Sequence, residues 1–191
     1  LDKGAGIKNI IVSNGDINPA PLKEWSPFLD AANIDLKSFD TEIYTMLNNG
    51  SLQPVLDTLL LLKKAGVWLE ITNLVIPGWT DDTDKIEDMC EWLVNNGFRD
   101  TPLHFSRFFP AYKLSRVHPT PMQTLEKAKA IALRKGLEFV YLGNIEPGPE
   151  STYCPRCKTL ICKRKTNSPE PILTQGTACS RCGYTIPGVW K

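Results

Sequence analysis

The sequence predicts an α/β protein in two parts: a partial (β/α) barrel with parallel strands and outer helices, then a small zinc-ribbon-like subdomain. Two observations predict this fold class. Apolar, β-branched runs recur at intervals of roughly 25 to 36 residues with helical patterns between them, which is the length of one βα unit. Two C-x-x-C pairs then follow near the C-terminus.

The predicted strands are five apolar runs, at residues 7–12, 33–36, 67–76, 103–108 and 137–142. Because helices alternate with these strands, we expect buried strands in a parallel sheet with right-handed crossovers. The pattern does not continue to a closed ring of strands, so the sequence predicts part of a barrel.

Three helices are predicted between these strands, each closed by a glycine that permits the left-handed backbone of a helix end. The first has Pro54 in its first turn, where proline is tolerated. The second begins at Asp81, Asp82 or Thr83, and the third follows Pro121. The closing glycines are Gly66, Gly97 and Gly136.

Composition divides the chain into three segments. We expect the barrel portion at 1–145, a Pro- and Gly-rich linker at 146–152 and the four-cysteine subdomain at 153–191. Residues 151–191 hold seven basic residues and one acidic residue, a formal charge of +6, so the first 150 residues carry −5. A function that depends on a basic surface would therefore lie in the C-terminal part.

The two C-x-x-C pairs predict a structural metal site. Four thiolates at this spacing can surround one ion, and zinc is the preferred ion, with iron as the alternative. Two disulfides or four free thiols are the competing interpretation. A site closed by four thiolates has no open position for catalysis. The candidate ligands are Cys154, Cys157, Cys179 and Cys182.

The other two cysteines are not expected to bind metal. Cys90 lies on an apolar helical stripe and is predicted to be core, and Cys162 is a fifth thiol in the C-terminal part with no expected role. Reduced C-x-x-C pairs are typical of the cytosol, which predicts a cytoplasmic protein. No apolar run reaches the length of a membrane span, so no membrane partner is expected.

Polar residues or glycines follow each predicted strand, at the edge where barrel enzymes bind their ligands. Each has an ordinary structural alternative: Asn-Gly and Pro-Gly are turn signals, Asp35 and Lys37 can form a solvated ion pair, and His104 can be a satisfied core residue. Arg107 is the better candidate for an anion ligand. The strand ends are Ser13-Asn14-Gly15, Asp35-Leu36-Lys37, Pro77-Gly78, His104 with Arg107, and Gly143-Asn144.

Four longer segments that contain these strand ends, taken in order along the chain, resemble one family. They are NIDLK at 33–37, LEITNLVIPG at 69–78, PLHFSRF at 102–108 and VYLGN at 140–144. Together they are similar to the radical SAM enzymes related to pyruvate formate-lyase-activating enzyme. With the four-cysteine end, the chain resembles the radical SAM proteins of the AmmeMemoRadiSam system.

This resemblance implies a partial (β/α)6 barrel of the radical SAM type. It also implies that a [4Fe–4S] cluster reductively cleaves S-adenosylmethionine (SAM), and that the resulting 5′-deoxyadenosyl radical abstracts hydrogen from a substrate that the sequence does not identify. The resemblance implies SAM contacts at five residues that match family positions: Ser13, Asn14, Asp35, Lys37 and His104.

The family's cluster motif, C-x-x-x-C-x-x-C, does not occur in this sequence. We expect it upstream of Leu1, on a missing N-terminal portion with the first two βα units. None of the six cysteines is expected to replace it, because a SAM-binding cluster needs three converging thiolates. The chain is therefore expected to be inactive alone, although its full-length parent would be an enzyme.

A binding module is the alternative function. Its basic zinc ribbon would dock nucleic acid or an acidic protein partner, with the βα half as scaffold. Lys163, Arg164 and Lys165 would either contact a polyanion or form a solvated hairpin turn. Few aromatic residues accompany these charges, so nucleic-acid binding is the less favoured interpretation. A hydrolase or aldolase is disfavoured because paired carboxylates at several strand ends are not found.

Overall fold

The computed structural model describes residues 6–146, 150–165, 168–172 and 174–188. Five parallel strands form one sheet in the order of the sequence, which confirms the predicted α/β class. The strands are β1 (Ile10–Ser13), β2 (Ala31–Asp35), β3 (Trp68–Val75), β4 (Leu103–Arg107) and β5 (Val140–Gly143).

Helices connect consecutive strands and pack their apolar residues against one face of the sheet in a single core. Two short 3-10 turns, Ser26–Phe28 and Tyr112–Leu114, lie within the connections. The helices are α1 (Pro19–Trp25), α2 (Thr41–Asn48), α3 (Leu52–Lys64), α4 (Thr83–Asn95) and α5 (Met122–Lys135).

The three predicted helices are α3, α4 and α5. Asp82 caps α4, because its carboxylate accepts hydrogen bonds from the backbone N–H groups of Asp84 and Lys85. Gly136 ends α5 with a φ of +104°, in the left-handed region that glycine favours. The prediction missed α1 and α2, which begin at the caps Asn18 and Asp40.

The two faces of the sheet differ, and this corrects the expectation of strands buried on both sides. Along β3 buried and half-buried residues alternate without a break. The buried residues pack against the helices. The other face, which we call the open face, is half-buried or exposed except at Tyr141, which is only 7% exposed. It comprises Ile10, Val12, Ala31, Asn33, Asp35, Trp68, Glu70, Thr72, Leu74, His104, Ser106, Tyr141 and Gly143.

β1 is an edge strand that carries exposed apolar side chains. Within the described sheet it pairs with β2 alone. Ile10 and Val12 lie on the open face and are 65% and 79% exposed. An apolar sheet edge of this kind is a surface that proteins usually cover.

The C-terminal subdomain, which we define as the described residues from Glu150 to Gly188, contains five short strands. Antiparallel pairing joins β6 (Thr152–Tyr153), β7 (Leu160–Lys165) and β8 (Ser168–Pro171), and a separate pair is formed by β9 (Thr174–Gln175) and β10 (Ala178–Cys179). Part of the predicted linker, residues 147–149, lies outside the described residues. Thr152, which the sequence assigned to that linker, lies in β6. The proposed domain boundaries stay a prediction.

A second, smaller core joins the subdomain to the end of the barrel sheet. Phe139 and Tyr141 pack with Ile161 and Ile186. The connection is reinforced at Glu150, whose carboxylate accepts from the backbone N–H of Leu142 at 2.6 Å and pairs with Lys129 Nζ at 2.6 Å. In the part of the chain that the structure describes, no helix combines the length and apolarity needed to cross a bilayer.

Candidate functional site

One row of side chains crosses the open face near the carboxyl ends of the strands. In the register of the sheet Asp35 is opposite Thr72, Thr72 opposite His104, and His104 opposite Tyr141. Parallel strands lie about 4.8 Å apart, so the Cα atoms of Asp35 and His104 are separated by about 10 Å. The two candidate SAM contacts from different strands therefore face the same space.

His104 is held in this row by two partners. Its Nε2 lies 2.8 Å from Glu70 Oε2, and its ring stacks on Tyr141 with centroids 5.3 Å apart. The hydrogen bond from His104 lowers the pKa of Glu70, although burial opposes this shift. An ionised carboxylate only accepts, so Nε2 carries the proton, and in the neutral ring Nδ1 is left as an acceptor.

Asp35 and Lys37 form an ion pair, as the structural alternative for this pair anticipated. Lys37 Nζ lies 2.8 Å from Asp35 Oδ2, and each side chain is about one third exposed. On the neighbouring strand Thr72 Oγ1 donates to Asn33 Oδ1 at 3.0 Å. A ligand could reach the partly exposed ion pair from the open face, because neither charge is enclosed.

The turn after β1 places the other two predicted SAM contacts differently. Ser13 is opposite Ile34, which lies on the helix-covered face, and its hydroxyl accepts from the backbone N–H of Gly15 at 3.1 Å. Asn14 Oδ1 accepts from the backbone N–H of Asp16 at 3.1 Å. The structure thus brings Asp35, Lys37 and His104 to the open face but does not bring Ser13 there.

Gly15 explains why this turn is tightly defined. Its φ is +77°, and an added Cβ would lie 2.7 Å from Val55 Cγ1 and 2.8 Å from Ile34 Cγ2. Both the backbone conformation and the close approach therefore require glycine. The Asn14-Gly15 sequence therefore does form the predicted turn. The side chains of Ser13 and Asn14 accept hydrogen bonds from backbone N–H groups within it.

Arg107 is already engaged by the protein. Its Nε donates to the backbone oxygen of Thr120 at 2.8 Å, and its guanidinium carbon lies 5.1 Å from the centroid of Phe109. Asn144 Nδ2 in turn donates to the backbone oxygen of Arg107 at 3.2 Å. These contacts hold the Arg107 side chain at the carboxyl edge of β4 and β5, and its role as an anion ligand stays a prediction.

Two cavities lie on the open face where it meets the C-terminal subdomain. One of about 330 Å³ is lined by His104, Tyr141, Leu142, Gly143, Asn144, Ile145, Glu150 and Arg164. The other, of about 550 Å³, lies between the amino-terminal ends of the strands and the subdomain. Its lining includes Trp68, Glu70, Tyr141, Cys162 and Arg164. Tyr141 and Arg164 belong to both cavities and form the wall between them.

A cavity of about 620 Å³ lies on the helix side, between the beginnings of α2 and α4. Asp40 and Asp82, which line it, are occupied as helix caps. Asn73 Nδ2 donates to the backbone oxygen of Leu36 at 2.8 Å, and its buried Oδ1 has no hydrogen-bond partner in the described part of the chain. This cavity does not contain any of the predicted SAM contacts.

Sequence reasoning did not assign roles on the open face to Glu70, Thr72, Tyr141 or Arg164; Arg164 was named only as an alternative polyanion contact. A signal for Glu70 and Thr72 is present in the sequence, because they alternate with the apolar Leu69 and Ile71 in a strand that the pattern predicts to be buried. No comparable signal existed for Arg164, since only the fold of the C-terminal subdomain turns it toward the sheet.

The four predicted cysteines converge on one point, which could hold a metal ion. Their sulfurs all lie within 4.8 Å of one another. Cys154 Sγ is 3.6 Å from Cys182 Sγ, and Cys157 Sγ is 3.8 Å from Cys179 Sγ. These separations match the edge of about 3.8 Å for a tetrahedron with zinc–sulfur bonds of about 2.3 Å, and they exclude disulfides, whose sulfurs are about 2.05 Å apart.

The two cysteine turns have the same backbone geometry. Lys158 N donates to Cys154 O at 2.9 Å, and Gly183 N donates to Cys179 O at 2.8 Å. Both donors have a left-handed φ, +59° for Lys158 and +70° for Gly183, so glycine was a correct signal at one turn only.

Hydrogen bonds with the side chain and backbone of Thr159 lower the pKa of the Cys157 thiol to about 6. Although the backbone N–H of Tyr184 opposes the shift, burial and hydrogen bonds with the other three cysteines raise the pKa of Cys182 to about 12. The group thus shares protons among its sulfurs, which a bound metal ion would displace.

The remaining cysteines have the predicted positions. Cys90 is fully buried in the main core, and burial raises the pKa of its thiol to about 12. Cys162 is buried in β7 outside the four-cysteine group. All six cysteines are described, and none lies in β1 to β5 or in the loops that follow these strands. The barrel portion of this chain therefore does not supply three thiolates for an iron–sulfur cluster.

Comparison with known proteins gives two kinds of relatives by sequence. An uncharacterized protein of Methanocaldococcus jannaschii is 44% identical over 185 residues, which are 95% of this chain and 54% of that protein. The pyruvate formate-lyase 1-activating enzyme of Escherichia coli K12 is 26% identical over 151 residues, which are 73% of this chain and 61% of the enzyme. The chain thus spans between half and two thirds of these relatives. No protein-family model matches the chain.

Solved structures share the fold. A domain of pyruvate-formate lyase-activating enzyme from Bacteroides vulgatus superposes with a TM-score of 0.62 at 17% identity, covering 74% of this chain and 84% of that domain. A radical SAM methyltransferase from Sphaerobacter thermophilus superposes with a TM-score of 0.58 at 11% identity, covering 74% of this chain and 42% of the methyltransferase. The predicted barrel type is confirmed, and distant homology to the activating enzyme is established; the link to the AmmeMemoRadiSam system stays a prediction.

The four-cysteine geometry predicts that Cys182→Ser removes the bound metal, whereas Cys162→Ser retains it. We expect about one metal ion per chain in the wild type and in Cys162→Ser, because the latter leaves the tetrahedral thiolate set intact. Elemental analysis of the purified proteins measures zinc and iron separately. A wild-type chain without either metal, or equal metal loss in both variants, would contradict the assignment.

Proposed function

We propose that this chain carries the SAM-binding part of a radical SAM enzyme similar to pyruvate formate-lyase-activating enzyme. The observation that carries the proposal is the row on the open face, in which Asp35 and His104 come from separate strands to one space. The shared fold and the distant homology to an activating enzyme support it.

The residues on the open face fit the groups that SAM offers. Asp35 supplies an acceptor for hydroxyl or ammonium donors, and Lys37 supplies a donor for a carboxylate. His104 presents a ring face whose orientation is fixed, because Glu70 and Tyr141 hold its other side. For Ser13 and Asn14 the proposed SAM contact is weaker, since their side chains already accept hydrogen bonds from the turn.

The reaction that we propose for the whole enzyme is reductive cleavage of SAM and hydrogen abstraction from a substrate. Such chemistry needs a [4Fe–4S] cluster with one iron open to SAM, and the residues of this barrel do not fit a cluster. We therefore propose that the cluster is held outside these 191 residues. What this chain contributes is binding and orientation of SAM.

We further propose that the C-terminal cysteine group holds a structural zinc ion, with iron as the alternative. A tetrahedral ion bound by four thiolates has no position for substrate, so its role is to fold the subdomain against the sheet. The combination of this subdomain with the barrel supports the assignment to the AmmeMemoRadiSam system. None of the six cysteines forms a disulfide, which supports the proposed cytoplasmic location.

Docking of nucleic acid or an acidic protein on the subdomain is less well supported. The proposed polyanion contact included Arg164, but this residue is directed onto Tyr141 of the sheet, with its guanidinium carbon 4.7 Å from the ring centroid. The charge that it would add to an outer basic surface is therefore placed inside the molecule's own cleft.

The proposed SAM site predicts that Asp35→Asn and His104→Ala each weaken SAM binding by about tenfold or more, since each removes a charged or ring contact worth about 1.4 kcal/mol. Titration calorimetry of the purified chain with SAM measures the dissociation constants. Asp57→Asn is the matched control, because Asp57 lies on α3 and bonds Gln53 away from the open face. Equal affinities in all variants, or no saturable binding to the wild type, would refute the site.

The cysteine positions predict that the chain alone produces no 5′-deoxyadenosine above background. The test is anaerobic reconstitution with iron and sulfide, followed by reduction in the presence of SAM and chromatography of the products. A sample without iron sets the background. Iron-dependent formation of 5′-deoxyadenosine by the 191-residue chain would show that the cluster is bound here after all.

A further inference from the structure

Arg164 is a half-buried cation that is not among the proposed SAM contacts. It lies on β7 of the C-terminal subdomain, yet its side chain extends over the open face of the barrel sheet. The neighbouring Lys163 lies on the opposite side of the same strand and is exposed. Alternation along β7 therefore separates one inward-facing charge from an outward-facing one.

A network of contacts fixes the position of this guanidinium group. Its carbon lies 4.7 Å from the centroid of the Tyr141 ring, within cation–π range. Its Nε donates to Thr152 Oγ1 at 3.4 Å, and Thr152 Oγ1 also lies 2.9 Å from the Tyr141 hydroxyl. Tyr141 in turn stacks on His104. Arg164 is thus connected through one ring to the row that carries the proposed SAM contacts.

The charge of Arg164 has no dedicated counter-ion. No carboxylate among the described residues forms an ion pair with it. Glu70 is close enough for Arg164 to help lower its pKa, but that carboxylate accepts its short hydrogen bond from His104. Glu150 is likewise engaged, by Lys129 and the backbone N–H of Leu142. A side-chain hydrogen bond to Tyr141 uses part of the guanidinium group, and its other terminal N–H groups are the donors that remain for a ligand.

The cavity beside Arg164 has the size of a small molecule. It encloses about 330 Å³ and is lined by His104 and Tyr141 on one side and by Gly143 and Asn144 at the carboxyl edge of β5. Gly143 lines the cavity with backbone alone, and a Cβ added there would lie 2.8 Å from Ser106 Oγ. A site of this size with one fixed cation suits part of a small ligand or the end of a peptide.

We propose that Arg164 binds an anionic group, a carboxylate or a phosphate, of the substrate, and so determines the substrate class of the enzyme. This inference rests on the proposed radical SAM function and adds the substrate's charge to it. A guanidinium group can hold either anion with two parallel hydrogen bonds, and its position on the aromatic stack fixes the direction of those bonds. The C-terminal subdomain then supplies a binding residue to the chamber of the barrel.

The test measures binding of two probes, inorganic phosphate and acetate, to the purified chain with its metal. The Nε–Hε resonance of Arg164, followed by NMR, is expected to shift saturably with at least one probe. Arg164→Gln should weaken that binding about tenfold or more, and Arg164→Lys should recover part of it, because lysine keeps the charge but loses the forked geometry. The stronger probe identifies which anion the site favours.

Lys163→Gln is the matched control, since it removes an equal charge from the adjacent position. We expect its probe affinity to stay within about twofold of the wild type. Absence of saturable binding, unchanged affinity in Arg164→Gln, or equal weakening in Lys163→Gln would overturn the inference. Thermal unfolding of each variant separates these outcomes from a purely structural role, in which Arg164→Gln lowers the melting temperature but leaves anion affinity unchanged.

SAM titrated into the same samples separates this inference from the proposed function. Anion binding with no SAM binding would remove the proposed function and leave the Arg164 site in place. SAM binding without anion binding would remove the Arg164 site alone. Competition between phosphate and SAM would place the anion site within the SAM site and overturn the assignment to a separate substrate.

Discussion

The parallel register of β2 to β5 is the constraint on which the candidate site depends. Because each strand is paired at a fixed offset, Asp35, Thr72, His104 and Tyr141 lie in one row, and their alternation with core residues directs them all to the open face. A shift of one residue in any strand would move its member of the row into the helix-packed core. Burial of the other face therefore determines where the polar groups meet.

The C-terminal subdomain completes this surface at its β5 side. The four cysteines organise two turns that the short strands alone would not hold together, since an isolated two-stranded hairpin is only marginally stable in water. The small core formed by Phe139, Ile161 and Ile186 then fixes the subdomain against the sheet. A metal ion bound outside the proposed SAM site would in this way control the position of Arg164, which faces the same cleft as His104.

The fold was predictable because its signals are local. Pro54, Asp82 and Gly136 mark helix ends by backbone requirements that hold whatever the rest of the chain does, and five apolar runs defined the sheet. The short helix α1 was missed because it has one buried residue, Leu22, too few for a periodic pattern. Likewise β5 begins later than its apolar run, because Leu137 packs at the end of α5 and not in the sheet.

The site was predictable only where a polar or charged residue type lies at the carboxyl end of a predicted strand. Asp35 and His104 met that condition, and Cys154 and its partners carry their own spacing signal. Ser13 met it too, but the pairing of β1 with β2 turns its side chain to the covered face. Arg164 could not have been found, since its place on Tyr141 arises from packing between segments 23 residues apart, and no local pattern encodes that contact.

In the function that we propose, the protein receives its ligand on the open face of the sheet. The most direct measurement is a backbone NMR titration with SAM, which maps the amide resonances that shift on binding. We expect shifts centred on Thr72, His104 and Tyr141. Shifts confined to Trp79 and Asp82, which line the cavity on the helix side, would contradict it.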